Sequence, residues 1–315
     1  MHILFDIVLP VFSLVLMGYG AARLRWFPVH AVGGLTAFMF NFAVPILLFH
    51  TLATTKLPAE IPWKLFGSYY LSMLVIFALG AVVAIVLSRR SLEAAAIIGF
   101  TAGFSNTVLF GIPIILTALG PEAGVPLFLL ISVHSPTGFT LLIIAMELLN
   151  KKGGGLRRLP LAIGRSIITN PILIGVAAGL LINLLGIPLP RLVDATAKLM
   201  TGAVSPVSLF ALGATMTQYR IAGRLSESLT LVTLKTLIFP AIVFVMATYV
   251  FELDTLWRNT AVLLAAVPTG VNAFLFADRY GVGKASATTT IFLGTGLSVA
   301  TLSLILYLLH VGPGL

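Results

Sequence analysis

Two short stretches of this chain place polar, hydrogen-bonding residues in the middle of apolar surroundings. Gly103 to Pro113 reads GFSNTVLFGIP, so Ser105, Asn106 and Thr107 stand together, with Gly111 and Pro113 one to two turns beyond. Val267 to Phe274 reads VPTGVNAF and groups Pro268, Thr269, Gly270 and Asn272 in a similar way. Asn supplies neutral donors and acceptors without the cost of a buried charge. Gly permits unwinding and Pro removes a backbone donor, so each cluster predicts an interrupted helix. A helix that restarts after such a break presents free N–H groups and the positive end of its dipole, which favour anions and carboxylates in particular. The chemistry implied is the holding of a small organic anion.

Two further residues join this set. His134, in ISVHSPTGF, is either a neutral imidazole bonded between helices or a proton-linked group, since its unperturbed pKa of roughly 6.5 lies where pH matters. Asn41, four residues before Pro45, is either a contact between helices or part of the wall of the site. Lys235 is expected to snorkel to an interface about two turns away. Asp278 is expected to pair with its neighbour Arg279, and His50 and Asp6 to lie near the outer interface.

The elements that must position these residues are membrane-spanning helices. The chain has 315 residues, 59% hydrophobic and 9% charged, with a mean hydropathy of +1.09. Soluble domains carry roughly 25% charged residues. Apolar runs punctuated by Gly, Pro and charge predict ten spans, at about 3–22, 33–54, 65–88, 92–118, 124–149, 169–186, 192–217, 228–250, 257–279 and 284–310. The two polar clusters fall in spans 4 and 9. A hydrophilic linker, 150–168, contains NKKGGGLRRLP and separates a first five-helix unit, 1–149, from a second, 169–315.

Of the 19 Lys and Arg residues, 13 fall in loops after odd-numbered spans and 5 on the other side, with Lys235 inside span 8. The positive-inside rule then places the linker in the cytoplasm and both termini outside a cell (inner) membrane. The net charge of +9 is thus a topology signal and not a nucleic-acid patch. An offset of 161 lays Pro10 on Pro171, Gly18 on Gly179 and PILLFHTLAT (from Pro45) on PVSLFALGAT (from Pro206). With five spans per half, the second copy must be inverted, as in carriers whose site lies where discontinuous helices meet.

The sequence contains no Cys, which excludes disulfides, thiolate nucleophiles and Cys-ligated metals. It has no HExxH, G-x-S-x-G or Walker motif and no pair of intramembrane carboxylates, so no enzyme, metal site or cofactor is expected. A coupling ion, H+ or Na+, remains open.

Three segments resemble the auxin efflux carrier family, which includes plant auxin carriers and bacterial carriers described as malate or malonate permeases. They are FAVPILLFH (from Phe42), NTVLFGIPII (from Asn106) and PTGVNAFLFADRYGV (from Pro268). The resemblance implies an all-α protein of ten helices in two inverted repeats, with helices 4 and 9 crossing at the midplane and a scaffold that mediates homodimers. It makes Asn106 the crossover Asn that meets a substrate carboxylate and Pro268 the crossover proline of helix 9. Asn41 and His134 fall where plant members have an apolar residue and a Gln. Ser105 replaces a usual Pro, Asn272 stands where Pro is frequent, and the long cytoplasmic loop of plant members is reduced to the short linker. Together these features point to a secondary carrier of a small mono- or dicarboxylate working by alternating access, with a membrane receptor that uses the same pocket without flux as the alternative.

Overall fold

A computed structural model describes residues 4–57, 61–149, 168–219 and 221–311, so most of the predicted linker lies outside the described residues. The described chain is helical. Its α-helices are α1 (Leu9–Arg23), α2 (Val32–Phe38), α3 (Val44–Thr54), α4 (Trp63–Val86), α5 (Leu92–Gly103), α6 (Ile112–Leu119), α7 (Gly124–Leu149) and α8 (Pro171–Leu184). They continue with α9 (Arg191–Met216), α10 (Leu225–Thr233), α11 (Phe239–Val245), α12 (Thr255–Ala266), α13 (Asn272–Tyr280) and α14 (Lys284–Leu308). Among the described residues, seven helices are long and apolar enough to cross a membrane, and Leu92–Gly103, Thr107–Leu119 and Pro171–Leu184 are shorter apolar helices.

Four prolines share one local arrangement. Pro10, Pro45, Pro113 and Pro240 are each the second residue of an α-helix that directly follows a five-residue π-helical turn. Proline has no N–H and its ring clashes with the carbonyl four residues back. The wider turn relieves both problems by shifting the bonding to five residues, as in Val44 N–H to the Met39 carbonyl and Phe239 N–H to the Leu234 carbonyl. The chain therefore passes Pro113 without a break. The interruption predicted around it is confined to Phe104–Asn106, and Gly111 and Pro113 lie in the helix beyond.

Small residues let the helices approach at backbone distance, the usual device where lipid provides no hydrophobic drive for association. A Cβ built on Gly18 of α1 would sit 2.0 Å from the Phe210 carbonyl oxygen of α9, and one on Gly179 of α8 would sit 2.6 Å from the Phe49 carbonyl oxygen of α3. The offset of 161 converts Gly18 into Gly179 and Phe49 into Phe210, so each contact is the sequence image of the other. Gly99 on α5 meets α4 in the same manner, 2.4 Å from the Phe77 carbonyl oxygen.

Charged groups cluster toward helix ends. At one end, His50 of α3 and Lys198 both reach Asp194 of α9, at 2.8 and 2.7 Å. At another, Arg90 makes a two-pronged contact of 3.1 and 3.2 Å with the buried carboxylate of Glu227, which also accepts from the Ser286 hydroxyl. Asp278 pairs with Lys284 and not with Arg279 as expected. Adjacent helical side chains point in different directions, while left-handed Gly281 and Gly283 turn the chain so that Lys284 returns to Asp278.

Candidate functional site at the crossing of two broken helices

The two polar clusters meet. Helix α5 stops at Gly103, the chain runs extended through Phe104 and Ser105, and a helix restarts at Thr107. Helix α12 stops at Ala266 and α13 begins at Asn272. The two gaps lie antiparallel, with Ser105 opposite Thr269. Asn106 N–H donates to the Pro268 carbonyl and Gly270 N–H to the Phe104 carbonyl, both at 2.9 Å. Irregular backbone survives at membrane depth only when its polar groups find partners inside the protein. Here each break supplies partners for the other.

Composition explains the closeness of this crossing. A Cβ on Gly270 would lie 2.9 Å from the Phe104 ring and 3.0 Å from the Ser105 carbonyl oxygen, so only glycine allows the strands to pair. The Thr269 hydroxyl donates to the Thr101 carbonyl at 3.0 Å, filling an acceptor freed at the end of α5. Gly111 makes room for the restarted helix against α12, its Cβ position being 3.0 Å from the Leu264 methyl.

Side chains from α4 and α7 close over the kink. The Ser105 amide donates to His134 Nε2 at 3.2 Å, and the Tyr69 and Ser105 hydroxyls are 3.1 Å apart. With Nε2 accepting, the neutral imidazole carries its hydrogen on Nδ1. His134 is fully buried, with its ring 4.6 Å from that of Phe104 and 5.8 Å from that of Tyr69. Two buried nitrogens at this place have no hydrogen-bond partner among the described residues: Asn106 Nδ2 and His134 Nδ1. Both are donors in this arrangement, and unmatched buried donors are costly.

The structure thus gathers Ser105, Asn106, Thr107, His134, Pro268, Thr269 and Gly270 into one buried cluster. Asn272 starts α13 at its edge, half-buried. Asn41 does not join the cluster: it is exposed, on the π-helical turn before α3.

Sequence reasoning missed Tyr69 and misplaced Lys235. Lys235 is fully buried and does not snorkel; its Nζ donates to the Ala265 carbonyl and lies 5.0 Å from the Phe239 ring centroid. That carbonyl belongs to the last turn of α12, where a helix leaves acceptors free and its dipole is negative. A lone ionisable residue inside an apolar span is a functional signal by default. Tyr69 carried no comparable signal.

A model of the membrane transport protein family matches residues 3–307. Over 317 residues, with 97% of this chain and 96% of the other covered, the sequence is 32% identical to a Rhizobium meliloti (strain 1021) protein named "Putative malonate transporter". It is 23% identical to auxin efflux carrier component 8 of Arabidopsis thaliana, with 93% of each chain covered. It is also 23% identical to the uncharacterized transporter YfdV of Escherichia coli (strain K12), with 95% of this chain and 96% of the other covered. The family match spans nearly the whole chain and the relatives are membrane transporters, not enzymes; this chain therefore belongs to the membrane transport protein family that includes the auxin efflux carriers, and it is a multi-pass membrane transporter.

Proposed function

We propose that this transporter is a secondary carrier of small mono- or dicarboxylates, with malonate the first compound to test, and that the anion binds at the crossing of the two broken helices. The observation that carries this reading is the pair of buried, unpartnered donors, Asn106 Nδ2 within the kink and His134 Nδ1 on the ring that accepts from the Ser105 amide. A carboxylate is acceptor-only and satisfies both. The helix that restarts at Thr107 adds the positive end of its dipole.

The carrier works by alternating access in this reading. The halves, 1–149 and 169–315, are inverted repeats, a reading supported by the Gly18–Phe210 and Gly179–Phe49 contacts that the offset of 161 interchanges. Helices α1, α3, α8 and α9 form the scaffold, which also makes a homodimer, and the crossing helices move against it. Both termini lie outside the inner membrane and the linker lies in the cytoplasm, on the strength of the Lys and Arg distribution.

Proton coupling follows from His134. A second proton makes Nε2 a donor facing the donor N–H of Ser105, so protonation breaks that bond and loosens the kink. A carboxylate beside Nδ1 favours the charged ring. Anion and proton then enter together. Uptake of labelled malonate into proteoliposomes with an acidic exterior tests the reading. Accumulation that collapses with a protonophore supports it; binding without uptake turns the protein into a receptor, and neither binding nor uptake of any small carboxylate refutes the site.

A further inference from the structure

Away from the crossing, a cavity of about 270 Å³ lies between α4, α5 and α7. Phe77, Ile85, Leu92, Phe100, Leu141 and Leu149 line it, and exposed Val86 and Leu148 stand nearby in the same helices. These are apolar spans, so the medium around the cavity is hydrocarbon and not water. The lining side chains are all apolar, so an acyl chain lying there makes dispersion contacts with every wall.

The turn joining Ile85 to Leu92 carries Arg89 and Arg90. Arg90 is committed to Glu227. Arg89 is exposed, held at a left-handed φ of 51°, and has no ion-pair partner among the described residues. Glu93, on the first turn of α5, makes no ion pair with it among them either. An exposed guanidinium on the turn that joins two cavity-lining residues, Ile85 and Leu92, complements a phosphate on an acyl chain. The cavity is also connected to the site. Phe100 forms part of its wall and stacks on Phe104 at 4.7 Å, and Phe104 in turn contacts His134 at 4.6 Å.

We infer that this cavity binds an anionic phospholipid, its acyl chain between α4, α5 and α7 and its phosphate on Arg89, and that the bound lipid braces the crossing through Phe100 and Phe104. The inference rests on the membrane-spanning character of these helices and is independent of which solute is carried.

The test is native mass spectrometry of the detergent-purified full chain with phosphatidylglycerol or phosphatidylcholine of identical acyl chains, alongside thermal unfolding in each lipid. The parent should retain phosphatidylglycerol more tightly by roughly fivefold, the equivalent of ~1 kcal/mol for one basic residue at an anionic lipid surface. Arg89→Gln should abolish that preference, whereas Arg25→Gln, which removes the same charge from another exposed turn with φ of 63°, should keep it. Ala96→Phe fills the cavity from its α5 wall and should reduce retention of both lipids and the added thermal stability from phosphatidylglycerol. Equal retention of the two lipids by the parent overturns the proposal. So does equal loss in Arg25→Gln and Arg89→Gln, which would mean general surface charge. Undiminished retention by a folded Ala96→Phe variant places the acyl chain elsewhere and also overturns it.

Discussion

Gly270→Ala tests whether the crossing depends on two backbones meeting at glycine distance. The added methyl would stand 2.9 Å from one Phe104 ring carbon and 3.0 Å from the Ser105 carbonyl oxygen. Carbon pairs are most favourable at about 3.5–4.0 Å, so something must move by roughly half an ångström or more. Phe104 has little room to yield, because its ring is stacked on Phe100 at 4.7 Å and on Phe139 at 5.4 Å and lies 4.6 Å from His134. The oxygen is backbone in the paired segment. Separation of the strands therefore stretches the 2.9 Å bond from Gly270 N–H to the Phe104 carbonyl. Overpacking of this kind costs about 1–3 kcal/mol. The assay is thermal unfolding in nanodiscs together with malonate binding, with Gly202→Ala as the control. Gly202 lies within α9, and a Cβ there meets nothing within 4 Å. Gly270→Ala should lower both the unfolding temperature and the affinity, while Gly202→Ala should leave both unchanged or raise stability slightly. If Gly270→Ala behaves like Gly202→Ala, the close crossing does not hold the site.

Three further outcomes are expected. His134→Gln keeps an acceptor for the Ser105 amide but removes the titrating ring, so uptake that rises as the exterior acidifies in the parent should become flat with pH; an unchanged profile removes His134 from coupling. Arg90→Ala should destabilise the protein by roughly 1.5–3 kcal/mol, the usual worth of hydrogen bonds to a charged group, because Glu227 would keep only its other partners; unfolding in denaturant measures this, and an unaltered midpoint shows the ion pair to be idle. A single Cys placed at Lys151 in this Cys-free chain should react with an impermeant maleimide only after the cells are opened, and labelling of intact cells would reverse the orientation.

The broken helices were legible because Gly, Pro and Asn carry backbone consequences wherever they occur. Ser105–Asn106 and Pro268–Gly270 announced two interruptions without reference to packing. What the sequence did not carry was the pairing of one gap with the other, which depends on contacts 164 positions apart between Ser105 and Thr269. Lys235 was misplaced for a related reason. A helix apolar on every side gives no periodic signal for its inward face, so its distance from the helix end suggested an interface. The face is chosen by packing against α12, where Ala265 offers its carbonyl. An isolated proline such as Pro113 looks disruptive in sequence, yet the π-helical turn from Thr107 to Gly111 accommodates it. Asn41 shares the residue type of the site but sits on an exposed surface, a distinction that composition alone does not contain.

The central claim is that a carboxylate is held at the crossing by the two unpartnered donors, and the most direct measurement is the malonate dissociation constant of the parent and of Asn106→Ala in nanodiscs. Asn106 is buried and its Nδ2 has no partner among the described residues, so truncation removes a donor to the anion without breaking a side-chain bond from that nitrogen in the ligand-free protein. A hydrogen bond to a charged group is worth roughly 1.5–3 kcal/mol, which predicts affinity weakened about tenfold to 150-fold. An Asn106→Ala protein with the parent's unfolding temperature and the parent's affinity for malonate would contradict the account.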